Sequence, residues 1–418
     1  MADYKNSANI KANSIGNPNK TLVSTNTPLT EQAPLPPIAM FTIMAMVSPV
    51  ALNIILPALP SIASSLGLTT NSVQLSFSLY LLALAIGQLL LGPLADRFGR
   101  RPVLLGGIIV HMLGCLMAAM AHDLFMLLVG RALQALGGCT GIALARTIML
   151  DRYPRNIAAG KIGYITLAIG LAQVIAPTAG GYLNLAYGWQ SLFYFSMILG
   201  STSWVIVLFR LPETGRQQPL RLSRVLHHYM AVIKSPGYAT YALSTAIIAC
   251  GFYLFIGSAP YLVAEHLQGS SADYGNWFLW VSVGLMAGSF IAAKISSKLG
   301  INYMVYLGHS LALLGGLLML WGLSSGYSYW ALFLPMTLYT FGRGFSQPNS
   351  QSAAISSTNL GPSTASGMIG FLQLLAGAGV AQLAPAIMTY HVLLIPLLIT
   401  LAPCIGFGLI LSNKKLGA

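Results

Sequence analysis

Gly92-Pro93-Leu94-Ala95-Asp96-Arg97-Phe98-Gly99-Arg100-Arg101 decides how the chain folds. This charged island separates two apolar runs, 73–91 and 102–121. Each run is about 20 residues, the length of a helix that crosses a hydrocarbon core. The island therefore reads as a tight turn at a membrane face. Gly92 and Gly99 permit close backbone approach or positive φ. Asp96 suits the N-terminus of a neighbouring helix, where free N–H groups and the dipole favour an anion. Arg97, Arg100 and Arg101 supply rigid donors and mark the face as cytoplasmic. A plain positively charged loop needs neither the glycines nor the aspartate.

The same alternation runs along the whole chain. Of 418 residues, 56% are hydrophobic and 7% charged, with mean hydropathy +0.72. Soluble domains carry about 25% charged residues, so this chain belongs in a bilayer. Uninterrupted apolar runs of this length fit only an all-α bundle there. A net charge of +13 would suggest nucleic acid in a soluble protein. Here the excess is topological, and no nucleic-acid partner is expected. Cys115, Cys139, Cys250 and Cys404 all lie inside apolar runs and read as small packing residues, with no metal site.

Twelve apolar segments are predicted, at 38–63, 73–91, 102–121, 124–150, 160–185, 189–211, 238–263, 275–296, 301–323, 329–355, 363–388 and 391–411. The widest polar break, 212–236, carries Glu213, Arg216, Arg221, Arg224 and Lys234 and leaves six segments on each side. Such a division is the internal repeat of a two-bundle transporter. The expected organisation is a disordered tail (1–37), an N-terminal six-helix bundle (38–211), a basic linker (212–236), a C-terminal six-helix bundle (237–411) and a short tail (412–418). No cleaved signal is read in the polar start. Lysine and arginine gather before segment 1 and after segments 2, 4, 6, 8 and 12, and the alternate loops carry none. The positive-inside rule then places both termini in the cytoplasm.

Three basic residues, Arg131, Arg146 and Arg343, sit within segments. A charge at membrane depth costs at least ~2.5–3.5 kcal/mol and persists where it faces a cavity or a partner. Gln134 lies one turn from Arg131 on the same helical face. Arg146 sits near a helix end beside Asp151 and suits an ion pair. Gly170, Pro177, Gly180 and Gly181 weaken segment 5 and permit bending and close packing.

These stretches carry a resemblance. The island resembles the signature loop G-x-L-A-D-R-x-G-R-R of the major facilitator superfamily, which latches the two halves on the cytoplasmic side. Leu128–Gly138, with Arg131, Gln134, Gly137 and Gly138, resembles the family's R-x-x-Q-x-x-G helix 4 signature, whose arginine faces the central cavity. Ala176-Pro177-Thr178-Ala179-Gly180-Gly181 is similar to the helix 5 signature of its antiporters. Leu84–Pro93, Ala145–Asp151, Leu211-Pro212-Glu213 and the stretch from Thr364 to Gln373 look like the bicyclomycin- and chloramphenicol-resistance (Bcr/CflA-like) branch of drug:proton antiporters. The resemblance implies a twelve-helix secondary transporter in the bacterial inner membrane, a monomer driven by a proton gradient without a cofactor. It implies export of small molecules, a drug or an anionic metabolite or siderophore, by alternating access, with import or uniport on the same fold as the alternative. Cavity candidates are Asn53, Tyr80, Gln88, Arg131, Gln134, Tyr253, Tyr339, Arg343, Gln347 and Asn349.

Two positions depart from that branch. Asn53 stands where the branch carries an acid before Leu-Pro-x-Leu-Pro, and Arg343 stands where it carries a neutral polar residue. With no acid deep in any apolar segment, a substrate carboxylate is the natural counter-charge for a cavity arginine. The lack of clustered His, Asp or Glu argues against a membrane enzyme, and the lack of a repeated filter or charged ring argues against a channel.

Overall fold

The computed structural model describes residues 37–153, 155–214, 229–358 and 362–414. The expected N-terminal tail, most of the linker and most of the C-terminal tail lie outside the described residues. The first helix, α1, spans Ile38–Ser65. It is broken after Asn53, passes through a single 3-10 turn at Leu56–Ala58 and resumes at Leu59–Ser65. Pro57 has no N–H to donate to the carbonyl four residues back, which is that of Asn53. Eleven more helices follow: α2 (Thr70–Phe98), α3 (Arg100–Ala119), α4 (Leu124–Arg152), α5 (Arg155–Tyr187), α6 (Gln190–Arg210), α7 (Pro236–Glu265), α8 (Ser271–Leu299), α9 (Ile301–Ser325), α10 (Tyr329–Ser356), α11 (Pro362–Tyr390) and α12 (Leu394–Lys414). Among the described residues, eleven of these twelve spans are long and apolar enough to cross a membrane on composition alone. The exception is α10, whose second half reads Arg343-Gly344-Phe345-Ser346-Gln347-Pro348-Asn349-Ser350-Gln351. Its polar face is not presented to lipid, as described below.

Helices outrun the apolar runs that announced them. The predicted island is no loop: α2 continues through Pro93 to Phe98, and a single residue, Gly99, turns the chain into α3. Gly99 has φ +96°, which only glycine adopts without strain. Gly300 makes the same one-residue turn between α8 and α9, at φ +83°. At the other ends, side chains cap the helices. Thr69 accepts from the N–H of Ser72, and Ser270 forms a capping box with Asp273. Asp123 likewise caps α4 and Ser328 caps α10. Caps and turning glycines thus recur at matching places in the two halves.

Packing repeats in the same way. In the first half α1 packs on α4, α5 and α6, α2 on α4, and α3 on α4 and α6. In the second half α7 packs on α10, α11 and α12, α8 on α10, and α9 on α10 and α12. The chain is therefore two pseudo-symmetric six-helix bundles. They meet chiefly where α2 lies on α11 and α5 on α8. In a bilayer, close van der Waals approach drives such packing, so small residues sit at the crossings. A methyl group on Gly130 of α4 would stand 2.7 Å from the backbone nitrogen of Ala118 on α3.

One face of the bundle carries the ends with Arg97, Arg100, Arg101, Arg210, Lys294 and Lys298 and is called the basic face below. Between the halves, the hydrogen bonds gather at the opposite face. Thr178 donates to the Gly275 carbonyl at 2.8 Å, Ser271 to the Gly181 carbonyl at 3.0 Å, and Gln382 to the Asn71 carbonyl at 2.9 Å. Asn184 donates to Ser271 at 3.0 Å and Asn276 to Tyr182 at 3.1 Å. Glycines let α5 and α8 touch backbone to backbone there: a methyl on Gly275 would lie 2.7 Å from the Pro177 carbonyl.

Candidate transport cavity

Below that seal the halves part around a cavity of about 780 Å³. Its wall takes residues 163–174 of α5, 278–293 of α8 and 343–351 of α10, with Leu52, Asn53, Phe77, Phe252, Tyr253 and Ile256 from α1, α2 and α7. It runs from mid-depth toward the basic face, where Gly163, Thr166, Leu167, Phe290 and Ala293 are exposed. Among the described residues of the wall, Arg343 is the one charged side chain.

Local sequence aims Arg343 into this space. Its neighbours Gly342 and Gly344 each seat a different helix. A methyl on Gly342 would press on Ala312 of α9, and one on Gly344 would lie 2.6 Å from the Ser289 nitrogen of α8. With both flanks covered, the residue between them points in the third direction. Gln347 and Gln351 follow at four-residue spacing and so share its face. The Arg343 side chain is 6% exposed, and its guanidinium carbon sits 4.6 Å above the Phe252 ring. Its Nε and Nη1 are buried without a hydrogen-bond partner.

Arg131 is placed differently. It is fully buried inside the first half, away from the cavity wall. Nε donates to the Ser76 carbonyl at 3.2 Å, and Nη1 donates to the Ala51 carbonyl at 3.1 Å and to Gln134 Oε1. The guanidinium lies 4.1 Å from the centre of the Tyr80 ring, and Tyr80 is itself tied to Ser48. Gln134 passes the contact on to Cys115 and Ser196, and its carbonyl meets His111 Nδ1 at 2.9 Å. Arg131, Gln134 and Tyr80 therefore form a polar clasp that ties α1, α2, α3, α4 and α6 together, a geometry unlike the cavity-facing position expected of them.

Of the remaining candidates, Asn53, Tyr253, Arg343 and Gln347 meet on the wall. Tyr339 is buried behind it and donates to the Ile248 carbonyl at 2.9 Å. Asn349 turns back to the Phe345 carbonyl at 2.8 Å, and Gln88 points at Gly370 of α11. Gly170 lines the cavity, Pro177 and Gly181 lie in the seal, and Gly180 packs on Ile54 of α1. Arg146 is exposed and forms no ion pair among the described residues. The wall also holds Thr166 and Gln173 on α5 and Ser282 and Ser289 on α8, which the sequence reading passed over. Each pair is seven residues apart, and that polar spacing on one helix face was the available signal.

The Gly92–Arg101 island is a junction within the first half. Gly92 is helical and exposed, as is Arg97. Asp96 pairs with Arg100 at 2.7 Å, and Arg100 also reaches Asp151 at 3.3 Å. The anion at the helix N-terminus is not Asp96 but Glu213. It accepts the N–H of Arg100 at 2.9 Å and of Arg101 at 3.1 Å, the start of α3. Arg101 donates to the Leu208 carbonyl of α6 at 2.8 Å.

A family model described as Major Facilitator Superfamily matches residues 41–410. A bicyclomycin resistance protein homolog of Haemophilus influenzae is 24% identical over 367 residues, covering 87% of this chain and 92% of its own. Multidrug resistance protein D of Escherichia coli is 27% identical over 347 residues, 82% of this chain and 87% of its own. The solved structure of a bacterial homolog of the human lysosomal transporter Spinster shares the fold, with TM-score 0.72 over 90% of this chain and 97% of that one at 14% identity. With two matched six-helix bundles, a cavity between them and a family match over nearly all of the described helices, the chain belongs to the Major Facilitator Superfamily of multi-pass membrane transporters.

Proposed function

We propose that this protein is a proton-coupled exporter of small molecules, working by alternating access in a bacterial inner membrane. It acts as a monomer with both termini and its basic face in the cytoplasm, and it is neither an enzyme nor a nucleic-acid binder. One observation carries the reading: the cavity between the halves is sealed at the opposite face and reaches the basic face. With that face cytoplasmic, the site loads from the cell interior. Rocking of the halves about the α2–α11 and α5–α8 contacts then exposes it to the other side. The relatives named for drug resistance support outward movement, as do Pro177, Gly180 and Gly181 in α5. The exposure of Asp96 and Arg97 supports a latching role for the Gly92–Arg101 junction once the basic face closes.

A second reading, import or uniport, rests on the acid-free wall and on Asn53, which leave no titratable carboxylate beside the substrate among the described residues. Uptake by inside-out vesicles with an imposed acid interior separates the two. An exporter accumulates neutral drugs there, and collapsing the gradient abolishes it. Equilibration without the gradient would make the protein a uniporter, and accumulation confined to right-side-out vesicles would make it an importer.

A further inference from the structure

We infer that the cavity binds an amphipathic organic monoanion, with its carboxylate on Arg343 and its apolar body against the surrounding wall. The inference rests on reading this cavity as the transport site. Arginine Nε and Nη1 each form a parallel donor pair with Nη2 that matches a carboxylate. In Arg343 both of these atoms are buried and unpartnered, whereas Arg131 uses the same two atoms on three protein acceptors. The protein has thus bound Nε and Nη1 of one membrane-depth arginine internally and left those of the other, on a cavity wall, without a protein acceptor. A cation–π contact with Phe252, 4.6 Å from guanidinium carbon to ring centre, holds Arg343 on the wall.

Chemistry on the wall fixes the rest of the ligand. Among the described residues no Asp or Glu lines the cavity, and the described acids, Asp96, Asp123, Asp151, Glu213, Glu265 and Asp273, all sit at or near helix ends. A single uncompensated positive charge selects a single negative one. In this low-dielectric wall a carboxylate is attracted to the guanidinium and a cationic ligand is repelled by it. Phe77, Phe278, Met286 and Phe290 supply apolar surface in a space large enough for a drug-sized body.

Three fluorescent probes that share one aromatic body test this: dansylglycine (carboxylate), dansylglycinamide (neutral) and dansyl-ethylenediamine (ammonium). Each is titrated into purified protein in lipid nanodiscs, following the blue shift of the dansyl group and subtracting empty nanodiscs. The expected result is dansylglycine binding about tenfold or more tighter than the amide, with the amine weakest. In Arg343→Gln the three affinities converge, and continued binding of the amide shows the cavity intact. Arg343→Lys, which keeps the charge and loses the fork, retains a reduced preference. Equal affinities in the wild type, absence of dansylglycine binding, or a carboxylate preference that survives in Arg343→Gln overturns the inference. Binding needs no gradient or direction, so a failed export reading leaves this result standing. Conversely, a failed anion preference leaves drug accumulation by vesicles untouched.

Discussion

Arg131 and Arg343 carry the same charge at similar risk, and their surroundings set opposite consequences. Arg131 is held through Nε and Nη1 by Ser76, Ala51 and Gln134 and sits over Tyr80, with Nη2 alone left buried without a partner. Replacing it with glutamine removes a cation–π contact and three hydrogen bonds from a sealed interior, a loss of about 2 kcal/mol or more. Thermal unfolding of purified Arg131→Gln should therefore show a lower Tm than the wild type. Arg343 has buried donors with no partner. Removing an uncompensated buried charge relieves a cost of about 1–3 kcal/mol, so ligand-free Arg343→Gln should melt higher than the wild type. A functional site that stores instability in this way is a common trade-off. Both arginines were legible in the sequence as charges in apolar runs. Which of them faces a cavity was not, because Arg131 with Gln134 and Arg343 with Gln347 are both polar pairs one turn apart, and local spacing does not say what lies opposite. The flanking glycines of Arg343 held the answer, since each seats a neighbouring helix.

Where helices end and cross, single glycines govern the outcome. Gly99 holds φ +96° beneath the Glu213 carboxylate, and a methyl there would stand 2.7 Å from Oε2. Gly99→Ala combines backbone strain of about 1–3 kcal/mol with loss of the cap on α3. The expected outcome is a lower Tm, with Glu213→Gln reproducing only the capping part. At the opposite face Gly275 lies against Pro177, so Gly275→Ala wedges α5 from α8. Cysteines placed in the seal should then react faster with a membrane-impermeant maleimide than in the wild type. Unchanged labelling would show that the seal does not depend on this crossing. The extent of α2 was misread because charge marks the membrane face, and a helix can carry charges past it. Pro93 and the Asp96–Arg100 pair sit within or beside regular helix. The sequence also offered Asp96 as the helix-terminal anion. Glu213 takes that place because the end of α6 returns the chain to the start of α3, a tertiary fact invisible in local spacing.

Across the whole molecule, the two-fold repetition was the most legible feature. Twelve runs, one wide polar break and alternating basic ends gave the two-bundle plan, and the paired helix contacts and matching caps reproduce it in space. Less legible was the cavity wall, since Thr166, Gln173, Ser282 and Ser289 are weak polar signals that matter only once α5 and α8 diverge. That divergence is also the central claim: the halves are sealed at one face and parted at the other, and transport exchanges the two. Spin-label pairs on a background without the native cysteines measure it directly. One pair, at Tyr182 and Asn276, spans the sealed ends of α5 and α8, and the other, at Tyr164 and Lys294, spans their parted ends. In nanodiscs, dansylglycine and a change of pH should shift the populations so that the first distance lengthens as the second shortens. Two distances that stay fixed, or that change in the same direction, would contradict alternating access about this cavity.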